Sequence, residues 1–174
     1  MGPFDYSVSR FGIKDTSNTD LFCYAGQLMT LWYNAGDPYS LDPHSLATRG
    51  AFTLDGRAQR RLSAYSKVDW ATGELLFFDY GDEPPYMTVG VADPAGKLLH
   101  EVAIDLPGPR LPHDIGFTTH YTIVHDLPFF HDMEVLRRHR YRVLSFHRDI
   151  PTRFGILPRR GQSAAPDTLP YLVE

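Results

Sequence analysis

Leu75-Leu76-Phe77-Phe78-Asp79-Tyr80, Tyr86-Met87-Thr88-Val89-Gly90-Val91-Ala92 and Leu98-Leu99-His100-Glu101-Val102-Ala103-Ile104 follow one another with turn residues between them. The first is the clearest strand of the chain, a short apolar and aromatic run that suits a strand better than a helix. Asp93-Pro94-Ala95-Gly96-Lys97 closes a turn between the second and third. In the third run Leu98, His100, Val102 and Ile104 fall on one face and Leu99, Glu101 and Ala103 on the other, because side chains alternate along a strand. Strand, turn and strand repeat here without a helical period between them.

The same grammar extends in both directions. Leu21–Tyr24 and Leu28–Tyr33 flank Ala25-Gly26-Gln27 and read as a hairpin whose continuous apolar runs predict burial on both faces. Ser40-Leu41-Asp42-Pro43 reads as an extended piece entering a turn, with His44 a solvated turn residue. Gly50–Leu54 is a short strand ended by Asp55-Gly56. Ser63–Asp69 leads to a turn at Trp70–Glu74, and Tyr121–His125 is stopped by Asp126-Leu127-Pro128. Arg153–Arg159 is the last strand. Phe4, Tyr6, Val8 and Phe11 make a strand candidate without an evident partner, and Asp132–His139 is the one helical candidate. Ten Tyr, eleven Phe, 14 Gly and 14 Pro agree with many short strands joined by tight turns. The expected fold class is all-β. At four strands per blade, roughly nine to eleven strands make two to three propeller blades, too few to close a ring; a compact sandwich is the other arrangement.

Composition bounds the function. With 174 residues the chain has the length of one ordinary domain with one core. A formal net charge of −4 gives no basic face for nucleic acid. The single cysteine, Cys23, cannot form an internal disulfide and reads as a small buried hydrophobe, compatible with a reducing, cytoplasmic setting. No apolar run approaches the ~18 residues of a membrane span, and the N-terminus lacks a signal-peptide pattern. Arg137, Arg138, Arg140, Arg142 and Arg148 make one region locally basic; a solvated face is the plain reading, peripheral contact with an anionic lipid surface the sharper one. No Gly-x-Ser-x-Gly elbow is present, which argues against a hydrolase.

One histidine stands out. In Leu106-Pro107-Gly108-Pro109-Arg110-Leu111-Pro112-His113-Asp114-Ile115-Gly116-Phe117, three prolines with fixed φ favour a rigid approach to His113. A lone histidine is more often a hydrogen-bonded core residue than a ligand. His120 and His125 lie close in sequence, with no pattern that makes either a ligand.

The motifs, taken together, resemble the carotenoid cleavage oxygenases, a family that includes apocarotenoid and lignostilbene dioxygenases. The likeness rests on Lys67-Val68-Asp69-Trp70-Ala71-Thr72-Gly73-Glu74-Leu75 running into Leu76–Tyr80, on Pro112-His113-Asp114-Ile115-Gly116-Phe117-Thr118, on Asp126-Leu127-Pro128 and on Pro151-Thr152-Arg153-Phe154-Gly155-Ile156-Leu157-Pro158-Arg159. Gly36-Asp37-Pro38-Tyr39-Ser40-Leu41-Asp42-Pro43 adds to it, so that the motifs span about residues 18–161. The resemblance implies that residues 1–174 form an incomplete part of a seven-bladed β-propeller. It also implies four histidines holding Fe(II), glutamates orienting some of them, and oxidative cleavage by O2 of a conjugated C=C bond in a carotenoid, apocarotenoid or stilbene, giving carbonyl products.

Against that pattern, His113 matches one iron-ligand position. Tyr65, in Ala64-Tyr65-Ser66-Lys67, occupies the first ligand position, and Tyr33, after Leu31-Trp32, occupies that of an orienting glutamate. The remaining two ligands are expected beyond the Arg153–Arg159 motif, past Glu174. One histidine holds Fe(II) poorly, so the chain alone is expected to be inactive. Two readings follow: a fragment or degenerate member of the Fe(II) dioxygenases, or a non-catalytic apolar-ligand-binding or scaffold protein on the same fold. An open propeller exposes sheet edges, which predicts aggregation or pairing with the missing part of the propeller.

Overall fold

In the computed structural model the described residues are 16–33, 37–52, 54, 61–139 and 143–160. The Leu75–Ile104 meander forms the middle sheet: β5 (Lys67–Asp69), β6 (Glu74–Tyr80), β7 (Met87–Ala92) and β8 (Leu98–Ile104), antiparallel and in sequence order. Before it, β1 (Asp20–Tyr24), β2 (Gln27–Leu31), β3 (Tyr39–Leu41) and β4 (Thr48–Ala51) form a second four-stranded sheet of the same plan. After it, β9 (Gly116–Phe117), β10 (Tyr121–Asp126) and β13 (Arg153–Pro158) make a third sheet, ordered β13-β10-β9. Between β10 and β13 lie the hairpin of β11 (Phe129–His131) and β12 (Leu144–Phe146), and the short helix α1 (Met133–His139) of about two turns. Sheet edges adjoin on one side: β1 packs near β5, a parallel bridge joins Trp32 to Ser63, and Lys67 in β5 reaches Asp114 just before β9.

β6 explains the stacking. It is buried on both faces, and alternation sends its residues to two separate cores. Leu75 and Phe77 join Tyr24, Met29, Leu31 and Ala92 in the core between the first and middle sheets. Leu76, Phe78 and Tyr80 join Met87, Val89, Val124 and Leu157 in the core between the middle and third sheets. The expectation of one core is therefore corrected to two, because a sheet stacked on both sides needs an apolar layer on each face. Gly90 lies across from Phe77, and a Cβ there would sit 2.3 Å from the Phe77 ring, so the missing side chain is what lets the ring lie flat on β7.

The hairpin forms as expected, with Ala25 and Gly26 at φ +50° and +70° in a two-residue turn. Its strands are corrected on one point: Tyr24, Met29 and Leu31 face the core, while Leu21 and Cys23 are exposed. Cys23 is thus not the buried hydrophobe that its apolar neighbours suggest. Among the described residues, one face of the first sheet meets another sheet, the middle one. Ser63–Ser66 does not join β5 but turns, with Tyr65 at φ +68°. The short strands β11 and β12 carry no clear signal in the sequence. The strand candidate at Phe4–Phe11, the Asp55-Gly56 turn, Arg140 and Arg142 lie outside the described residues.

Candidate functional site

Two polar centres form at opposite ends of the sheets. At the end where β5 finishes and β6 begins, Arg159 is 2% exposed and reaches across from the third sheet. Its Nη2 lies 2.8 Å from Glu74 Oε2 and 2.6 Å from Asp69 Oδ2, and Arg160 pairs with the other Glu74 oxygen at 2.5 Å. The Arg159 guanidinium also lies 5.2 Å from the centre of the Phe117 ring. Hydrogen bonding from Arg159 holds the Asp69 carboxyl below the usual carboxylate range. The Asp69–Glu74 and Arg153–Arg159 motifs thus meet as a structural clamp between sheets.

A second charged cluster braces the third sheet. Asp126, 5% exposed at its side chain, accepts from Arg110 Nε at 2.6 Å and from Arg153 Nε at 3.0 Å. Arg110 stacks over Phe130 at 4.2 Å. Beside the cluster is a cavity of about 30 Å³ lined by Met87, Ile104, Leu106, Val124, His125 and Arg153. It has room for a water-sized occupant and not for a conjugated substrate.

The same end brings together the three residues singled out by the sequence. The Tyr65 and His113 rings are 5.0 Å apart at 36°, and the Tyr33 and His113 rings 6.0 Å apart at 26°. Each is held by its backbone. The Tyr33 carbonyl accepts from Ser63 Oγ at 2.9 Å and from the Tyr80 hydroxyl. The Tyr65 N–H donates to Asp20 Oδ2 at 2.7 Å, which fixes a bulky residue in the left-handed region where such residues are rare. Lys67 bridges from Tyr65, 5.8 Å from its ring centre, to Asp114 at 2.7 Å. The His113 N–H donates to His125 Nε2 at 3.4 Å. Burial keeps the His125 pKa below the usual histidine value, and the neighbouring His113 acts in the same direction; Asp114 and Asp126 oppose them. His125, Asp20 and Lys67 are members of this site that the sequence does not announce. His125 faces His113 only because β9 and β10 pair antiparallel across a short turn. His120 is exposed beyond that turn and takes no part in the cluster.

The sequence profile of the retinal pigment epithelial membrane protein family matches residues 3–171. The chain belongs to this family. It is 30% identical over 167 residues to isoeugenol monooxygenase of Pseudomonas nitroreducens, covering 93% of this chain and 34% of that protein. It is 34% identical over 147 residues to carotenoid 9,10(9',10')-cleavage dioxygenase 1 of Arabidopsis thaliana, covering 83% and 27%. Among solved structures it resembles Pseudomonas brassicacearum lignostilbene dioxygenase, with a TM-score of 0.75, 32% identity and coverage of 85% and 31%. Synechocystis apocarotenoid oxygenase gives a TM-score of 0.72 at 25% identity, with coverage of 91% and 35%. The chain therefore spans about a third of the length of the relatives it matches. Its stacked sheets are a part of the β-propeller fold of these carotenoid oxygenases.

An iron site in the retinal pigment epithelial membrane protein family would need several neutral imidazoles converging. Among the described residues, no group of three or more His, Cys, Asp or Glu side chains comes together in that way. The rings packed against His113 are two phenols, those of Tyr33 and Tyr65. These residues do not by themselves fit Fe(II).

Proposed function

We propose that this chain carries one part of an oxygenase that splits a conjugated C=C bond of a carotenoid, apocarotenoid or stilbene with O2. Within that reading His113 is the iron ligand this chain contributes, with the other ligands supplied from outside the described residues. The observation that carries it is that Tyr65 and Tyr33, at the motif's positions for a ligand and for an orienting glutamate, both lie against the His113 ring. Pairing with further propeller sheets belongs to the same reading.

A second reading, binding of an apolar ligand without turnover, is favoured by a specific observation. Tyr65 stands where a ligand histidine is expected and turns its ring toward His113 at 5.0 Å. The test for both is a single-turnover assay on the purified chain combined with a polypeptide carrying the remaining propeller sheets of a relative, after anaerobic addition of ferrous iron. Isoeugenol, a lignostilbene and an apocarotenoid are offered with O2, and aldehydes are read by mass spectrometry. Aldehyde that is lost in His113→Ala supports the oxygenase. Retention of ligand without aldehyde supports the binding protein, and absence of both removes both readings.

The location we assign is cytoplasmic with peripheral membrane contact. What supports the contact is one face of the β11–β12 hairpin, where Phe129, Leu144 and Phe146 are exposed. Arg137 and Arg138 lie on the adjoining helix, and Arg148 sits over Phe146 at 5.9 Å. Exposed aromatic and basic side chains together suit an anionic lipid surface. Among the described residues no helix is long and apolar enough to cross a membrane.

A further inference from the structure

The residues at His113 depart from an Fe(II) site in one direction. Where the motif has a neutral imidazole stands the phenol of Tyr65, and where it has an orienting carboxylate stands the phenol of Tyr33. A phenol that has lost its proton is a hard, anionic oxygen ligand. It suits an iron ion of higher charge, whereas several neutral imidazoles suit the divalent ion. Tyrosine oxygen is a known ligand of iron in tyrosine-ligated haem.

The fold groups the three donors. The His113 ring lies 5.0 Å from that of Tyr65 and 6.0 Å from that of Tyr33. Two ring ligands of one ion sit about 5–6 Å apart, centre to centre, when each donor atom is ~2 Å from the ion. Elsewhere in the fold tyrosine hydroxyls are taken up by backbone: Tyr24 donates to the Asp93 carbonyl and Tyr80 to the Tyr33 carbonyl. Among the described residues, no hydrogen-bond partner takes up the hydroxyl of Tyr33 or Tyr65 or a ring nitrogen of His113. Their backbones, by contrast, are held, by Ser63 at Tyr33, by Asp20 at Tyr65 and by His125 at His113. Lys67, 5.8 Å from the Tyr65 ring centre, would repel a cation, but its pairing with Asp114 at 2.7 Å balances that charge.

We propose that Tyr33, Tyr65 and His113 form a site for ferric iron, with two phenolates and one imidazole as its ligands. This rests on the reading of His113 as a metal ligand and changes the oxidation state that the site prefers. Each phenol gives its proton to solvent as it binds. The iron arrives as Fe(III), so no electron is transferred, and the other coordination positions are left to water.

The experiment titrates the purified chain with ferric nitrilotriacetate and reads the visible phenolate-to-iron charge-transfer band, with circular dichroism to show that each variant is folded. The wild-type chain is expected to develop the band and to saturate at one iron per chain. Tyr65→Phe and Tyr33→Phe keep the packed rings and remove only the oxygens. The first should lose the band, and the second should leave a weaker one. His113→Ala should also lose it. A wild-type chain without the band overturns the proposal, as does a band that survives Tyr65→Phe or His113→Ala or is unchanged in Tyr33→Phe. So does an anaerobic titration in which ferrous iron binds more tightly than ferric iron. The band is read without substrate, O2 or the remaining propeller sheets, so its failure leaves the oxygenase reading standing, to be decided by aldehyde formation.

Discussion

The two ends of the sheets use charge in opposite ways. At the Arg159 end, Asp69, Glu74, Arg159 and Arg160 form a chain of ion pairs in which acids and bases balance, and burial is tolerated because every carboxylate has a guanidinium. At the His113 end the His113 ring lies against two tyrosine rings and its N–H donates to His125, while the Lys67–Asp114 pair beside the Asp126 cluster is half open to solvent. The first arrangement locks sheets together. The second leaves the protonation of His125 sensitive to its surroundings and spends backbone strain on placing Tyr65. The difference teaches which motif residues are structural and which belong to a site, although all of them arise from the same family likeness.

The largest effect that would break this contrast is at Arg159. Arg159→Leu leaves Glu74 with Arg160 alone and should cost about 2–3 kcal/mol in a urea titration. That is less than the ~3–5 kcal/mol for breaking a fully buried pair, because one partner remains. A loss under about 0.5 kcal/mol would mean that the clamp does not hold the sheets.

Acid should separate the two ends. The folded-state pKa of His125 lies below the unfolded value of 6.5, so the unfolded chain takes up the proton first. Its contribution is full above about 6.5 and is lost as pH falls from there toward the folded value. His100, lowered by burial, adds to the same window. Asp69 contributes above its unfolded value of 3.8 and is lost only as pH falls below that. The melting temperature should therefore drop in two steps, and His125→Gln should flatten the first and spare the second. A single step near pH 4 would count against the assignment.

Smaller still is Tyr65→His, expected to change stability by no more than about 1 kcal/mol, because the strained backbone is kept and the ring is partly exposed. Its readout is ferrous-ion affinity by calorimetry, which should rise relative to the parent chain. The smallest is Lys67→Ala, at most about 0.5 kcal/mol, since exposed pairs contribute little.

Much of the fold could be read from residues alone. The Leu75–Tyr80 run, the Ala25-Gly26 hairpin and the Asp93–Lys97 turn depend on local rules, and each formed where those rules place it. What was not legible depends on neighbours far away in sequence. Cys23 is exposed because among the described residues no sheet packs on that face of the first, which its apolar neighbours in sequence do not reveal. Phe129–His131 and Leu144–Phe146 pair across a helix, so neither run looks like half of a hairpin. The motifs singled out His113, Tyr33 and Tyr65, which the fold brings side by side, while His125 and Asp20 join them through strand register and a turn contact.

β6 carries a consequence for how the chain acquires its structure. It contributes Leu75 and Phe77 to one core and Leu76, Phe78 and Tyr80 to the other, and it pairs with neighbours adjacent in sequence on both sides. Neither flanking sheet has a surface to dock against until the β6–β7 meander exists. That meander closes through short loops, whereas β10 and β13 must meet across a long one. Folding should nucleate in the middle of the chain and spread outward. Leu76→Ala is then expected to slow refolding by most of its equilibrium cost, and Leu157→Ala chiefly to speed unfolding, in stopped-flow chevrons.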